Sequence, residues 1–123
     1  VGGSRSIIPL VRLWKRLCRL GWDHEVRSLT LEEAFAHGAA GWRLQGMQTL
    51  AMFWAHMGGV SYLRLRPNMW KAVCCGNGKL GKLEYLRLAQ ERWPEVRIWN
   101  DDQAAARWIL LYRELMEEHD EKT

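Results

Sequence analysis

The stretch that decides the fold is residues 67–86, PNMWKAVCCGNGKLGKLEYL. Pro67 is pre-set for the first turn of a helix, and NMWKAVCC continues that helix until Gly76-Asn77-Gly78 breaks it. LEYLRLAQERW then reads as a second helix, closed by Pro94. The turn between the two helices carries Lys79 and Lys82.

Working outward, VSYLRL at 60–65 has the composition of a short strand. Residues 39–57 return to helical spacing, with Met47, Leu50, Ala51 and Trp54 on one stripe and Gly58-Gly59 as the stop. VRSLTLE at 26–32 alternates and predicts a strand running into Glu32 and Glu33. PLVRLWKRLCRL at 9–20 predicts a helix with Pro9 in its first turn and Gly21 as its end. On the other side, EVRIW at 95–99 predicts a third short strand leading into Asn100-Asp101-Asp102. The last helix carries Ala105, Trp108, Ile109 and Tyr112, then Leu115 and Met116, before a charged tail, 117–123, expected to fray. Strands alternating with helices predict an α/β fold of about three mainly parallel strands, with helices packed on the sheet. So few strands leave an edge open or paired with another chain. No repeat or linker interrupts the chain, so a single domain over 1–123 is expected.

The 123 residues suit one domain able to bury a core, and with 48% apolar residues and eight Trp the chain is not of the disordered class. No apolar run is long enough for a membrane span, and the opening VGGSRSIIPL does not read as a secretory signal. Three cysteines, Cys18, Cys74 and Cys75, have no CxxC or histidine spacing that suggests zinc. Reduced, buried thiols and a cytoplasmic location are the expectation.

The net charge of +4 is unevenly spread. Residues 60–93 hold seven basic and two acidic side chains, whereas 95–123 hold four basic and eight acidic. A basic body beside an acidic end fits a polyanion-binding face next to a carboxylate cluster, and it fits solvated helices as well. Backbone N–H groups at Gly76 and Gly78, with Lys79 and Lys82, suit a phosphate, although the turn lacks the spacing of a P-loop. Arg64, Arg66 and Lys71 continue the basic surface. Trp70 beside them suits either base stacking or packing, and His37 either phosphate contact or no special role. Asp101 and Asp102 equally suit a helix cap.

Three segments together resemble the RuvC-like Holliday junction resolvases of ribonuclease H-like fold. TLEEAFAHGAA at 30–40 is similar to the family's strand ending in a catalytic Glu. PNMWKAVCCGNGKLGKLEYL is similar to its Pro, Trp-Lys and Gly-x-Gly-Lys-x-x-Lys pattern. NDDQAAARWILLY at 100–112 is similar to its closing segment, where acids begin the final helix. The resemblance spans about residues 26–116.

It implies a dimeric, metal-dependent endonuclease acting on branched DNA, with Mg²⁺ or Mn²⁺ held between converging carboxylates. Position by position, Glu32 corresponds to the strand-terminal Glu and Asp102 to the first acid of the final helix, both as metal ligands. Lys82 corresponds to the lysine near the scissile phosphate. Lys79, Lys82, Lys71, Arg66, Gly76 and Gly78 are the expected DNA contacts. Two departures stand out. The family's first strand and its leading Asp have no counterpart, which reads as an N-terminally shortened domain. The second acid of the final helix is replaced by Ala105. Asp101 or Glu33 are alternative ligands in a shifted register. A catalytically inactive DNA-binding module and a small self-associating structural protein are the alternative readings.

Overall fold

The computed structural model describes residues 2–33 and 38–122, with side chains at 7–33 and 43–118. The chain divides into two compact units, residues 1–64 and 65–123. Among the described residues the order is α1 (Gly2–Asp23), β1 (Ser28–Glu32), α2 (Gly38–Met57), β2 (Ser61–Leu65), α3 (Pro67–Cys75), α4 (Lys82–Arg92) and α5 (Asp101–Lys122).

In the first unit α1 packs on α2. Small Ala51 and Ala55 are buried on α2, and Leu17 is buried on α1. Gly21 was expected to end α1, yet the helix runs through it to Asp23. A Cβ on Gly21 would stand 2.9 Å from the Trp54 ring, so this glycine serves helix–helix approach instead of a cap. Pro9 likewise lies inside α1 and not in its first turn. A proline there removes one N–H from the ladder, and the helix continues on both sides of it. Trp14 and Phe53 meet across the pair with ring centroids 6.1 Å apart.

The crossover β1–α2–β2 produces a two-stranded parallel sheet. Both strands begin at one end, where Ser61 Oγ donates to the carbonyl of Arg27 at 3.3 Å. The other end of β1 is tied to α2, since Gln48 Nε2 donates to the Glu32 carbonyl at 3.0 Å. Gly59, at φ 69°, makes the turn from α2 into β2.

The second unit is a helical cluster closed around aromatic side chains. Ala104, Ala105, Trp108, Ile109 and Tyr112 form the buried stripe of α5. They meet Tyr85 and Ala89 of α4 and Trp70 of α3 in one core that also takes in Leu65, Trp93 and Ile98. Trp70 stands edge-on to Tyr85 at 5.2 Å, and Trp93 to Trp108 at 4.7 Å. Such aromatic pairs contribute about 0.5–1.5 kcal/mol each beyond the area they bury. Trp108 Nε1 donates to the Tyr85 carbonyl at 3.0 Å, so its one polar group is satisfied. Trp70 is 0% exposed, which rules out the base-stacking role that its basic neighbours suggested.

Two expectations fail here. The predicted strand at 95–99 does not form, and the described sheet has two strands instead of three. Side chains take up its backbone groups: Gln90 Nε2 donates to the Ile98 carbonyl at 2.9 Å, and the Trp99 N–H donates to Gln103 Oε1 at 2.7 Å. Its apolar content is anchored through Ile98 alone, which is 5% exposed. Residues from 117 onward belong to α5, which runs to Lys122, with an Arg113–Glu117 ion pair at 3.5 Å on its last turns.

Candidate nucleic-acid interface

The turn between α3 and α4 is built from its own sequence. Gly76 adopts φ 80° and caps α3, its N–H donating back to the Ala72 carbonyl. Asn77 accepts the Lys79 N–H on its side-chain Oδ1 at 2.9 Å, and its carbonyl accepts the Leu80 N–H. Gly78 sits in a tight space, because a Cβ there would stand 3.1 Å from the Asn68 carbonyl oxygen and one of them would have to give by a few tenths of an ångström. Both glycines therefore have structural reasons, and the turn they fix carries exposed Lys79 and Lys82. Lys82 is the first residue of α4, with Gly81 as its extended N-cap.

Across from it begins α5. Asn100 caps this helix, accepting the Gln103 N–H on Oδ1 at 2.8 Å, while the Gln103 side chain reaches back to the Trp99 N–H. The cap is therefore Asn100, and Asp101 and Asp102 are left to complement the helix dipole. Lys82 Nζ stands 4.0 Å from Asp101 Oδ2, with the lysine side chain 79% exposed. Asp102, the expected ligand, is exposed on the same first turn. Ala105 is 8% exposed and belongs to the core.

The remaining expected contacts divide. Lys71 is half-buried, with its Nζ 5.1 Å from the Tyr85 ring centroid and 5.7 Å from that of Trp70, so cation–π contacts hold its ammonium against α4 as well as α3. Arg66 is exposed at the N-cap of α3. Glu32 is exposed at the end of β1, in the first unit, whereas the other expected site residues belong to the second. His37 lies outside the described residues. Among the described residues no three His, Cys, Asp or Glu side chains come together as a metal site.

Two features escaped the sequence reading. The Asn100-x-x-Gln103 spacing is a capping-box signal that marks the start of α5 and fixes the turn before it. Trp99, 73% exposed, emerges from that turn. Cys74 and Cys75 are half-buried free thiols, whereas Cys18, also expected to be buried, is exposed. Burial pushes Cys74 up to about 11, its neighbour Cys75 adding to this and Arg92 opposing it. Cys75 is also raised by burial, against Lys71.

No protein-family model matches the chain, and no curated protein matches it. Among solved structures it is similar to the Thermus thermophilus RuvC structure, with a TM-score of 0.70 over 91% of this chain and 71% of that one. At 14% identity the likeness is one of fold, and it assigns this chain an α/β fold of the ribonuclease H-like, RuvC type.

Proposed function

We propose that the chain binds branched DNA, gripping the sugar-phosphate backbone with the basic turn between α3 and α4. One observation carries this reading: Lys79 and Lys82 are both exposed around the N-terminus of α4. A cation there opposes the helix dipole, and the exposed Lys82–Asp101 pair offsets only part of that penalty. A phosphate would gain, because it meets the lysines and the free N–H groups of the helix end together. The RuvC-like fold supports branched DNA as the form of nucleic acid recognised. A four-way junction has two-fold symmetry, so a homodimer is part of the proposal.

Strand cleavage with Mg²⁺ or Mn²⁺, using Glu32 and Asp102 as ligands and Lys82 beside the phosphate, is the second reading, favoured by the same fold likeness. The core position of Ala105 weighs against it for the residues of this chain. Fluorescence anisotropy with a labelled four-way junction and a duplex of equal length tests both. The proposal expects tighter binding of the junction, an affinity that falls steeply with salt, and intact DNA after incubation with either metal. Absence of junction binding at low salt would overturn the proposal. Metal-dependent nicking that disappears in Glu32→Gln would replace it with the second reading.

A further inference from the structure

Beside the α5 cap lies a groove of about 380 Å³, lined by Val96, Arg97, Ile98, Gln103, Arg107 and Leu110 among others. Its lining is mostly apolar, and its two charged residues are both arginines. Arg107 is stacked over the Trp93 ring, 4.9 Å from the centroid, and its buried Nε–H has no hydrogen-bond partner among the described residues. Arg97 is exposed, and neither arginine has an acidic partner among the described residues. Arginines left unpaired in one concavity, one of them held flat by an aromatic ring, are a ready partner for a doubly oxygenated anion such as a phosphate diester.

Trp99 adjoins this groove. It follows lining residue Ile98, and its N–H is held by lining residue Gln103. The backbone is thus fixed from both sides, while the indole remains 73% exposed. Three other tryptophans of this unit, Trp70, Trp93 and Trp108, are buried in its core, so the exposure of Trp99 sets it apart. An indole on a rigid turn pays little entropy when it stacks on a flat partner.

We infer that this groove and Trp99 together hold one unpaired nucleotide of a DNA strand, with Arg97 and Arg107 on its phosphate and the Trp99 indole against its base. The inference deepens the DNA-binding reading and rests on it. It adds a second, single-strand subsite to the lysine turn, and it suits branched DNA because unpaired bases occur where strands diverge.

The test uses two probes containing 2-aminopurine, a four-way junction labelled at the branch point and a single-stranded oligothymidylate labelled internally. Stacking on Trp99 quenches the 2-aminopurine beyond what each free probe shows. Trp99→Ala removes that quenching and weakens oligothymidylate binding about tenfold, the scale of one base–aromatic stack. Arg97→Gln, an exposed change that leaves the Trp93 stack intact, lowers the salt slope by about one. Lys82→Gln weakens junction binding but retains the quenching at saturating protein. If the wild-type chain binds both probes and Trp99→Ala quenches as the wild type does, the nucleotide subsite is wrong and the DNA-binding reading survives. If the wild type binds neither probe, both fall together.

Discussion

The Nζ of Lys82 and the Oδ2 of Asp101 lie 4.0 Å apart, so the first residue of α4 faces the first residue of α5. The two charges are not equivalent in cost. Asp101 favours the helix it begins, whereas Lys82 disfavours its own, and the pair offsets part of that penalty. With Lys82 so exposed the pair contributes little to stability, but it decides how much of the lysine's charge reaches a ligand.

Opposite effects on DNA binding follow. Lys82→Gln weakens binding of a four-way junction several-fold, about equally for any sequence, and reduces the salt slope by about one. Asp101→Asn strengthens binding at low salt, because it releases the lysine and removes a repelling charge. Anisotropy titrations over a range of salt concentrations read both. An Asp101→Asn variant that binds more weakly than the wild type would show that the carboxylate takes part in recognition, contrary to the charge argument.

How much of this was readable beforehand varied with the kind of signal. The four helices from α2 to α5 were legible because Pro67, Gly76 and Pro94 mark their limits and the 3.6-residue stripe of α5 is unbroken. Gly21 misled because a glycine at a helix end and a glycine at a helix crossing look alike, and only Trp54 tells them apart. EVRIW misled because strand composition states a preference while a strand needs a neighbour, and Gln90 and Gln103 took its backbone groups instead. At the candidate site, the lysines and the acids opening α5 were visible as charge, whereas the Asn100–Gln103 cap was not read. The groove at Arg97 and Arg107 was not, since residues ten apart share a concavity only after the turn at 94–100 is folded.

The two glycines of the basic turn fail for different reasons when substituted. A Cβ on Gly76 would touch nothing, so Gly76→Ala suffers only from φ 80° and costs about 1–2 kcal/mol. Gly76→Asn tolerates that backbone better and costs less. Gly78→Ala meets the Asn68 carbonyl at 3.1 Å and displaces the turn, moving Lys79 and Lys82 with it. Urea unfolding ranks the first two variants. Junction affinity compared at equal folded fraction identifies the third, which loses binding out of proportion to its stability.

The thiols predict a stability that declines in alkali. Cys74 is raised to about 11 from its ordinary 9.0, mainly by burial, while its Sγ–H donates to the Trp108 carbonyl at 3.6 Å. Below pH 9 the thiol is protonated in the folded and the unfolded chain, and its contribution is fully present. Between pH 9 and about 11 the unfolded chain ionises while the folded one resists, so this contribution is lost as pH rises. Thermal melts from pH 8 upward show the decline, and it is shallower in Cys74→Ala. At pH 8, exposed Cys18 reacts first with a disulfide reagent, ahead of Cys74 and Cys75. Equal rates for all three thiols would contradict the burial argument.

Ala105 decides between the two readings of function. By the sequence resemblance it corresponds to the second acid of the final helix in RuvC-like nucleases, yet it is 8% exposed and packed in the core with Trp108 and Ile109. A carboxylate there must be desolvated beside tryptophan, which costs on the order of 2 kcal/mol or more unless a cation meets it. Ala105→Asp therefore melts well below the wild type, and Mn²⁺ does not restore it if the position belongs to the core alone. A metal that binds only the folded variant raises its melting temperature by mass action. Such a rise in Ala105→Asp, absent from Ala105→Asn, would mean that this face of α5 can still complete a metal site with Asp102. The binding-only reading would then give way to that of a nuclease site whose loss of metal this alanine helps to explain.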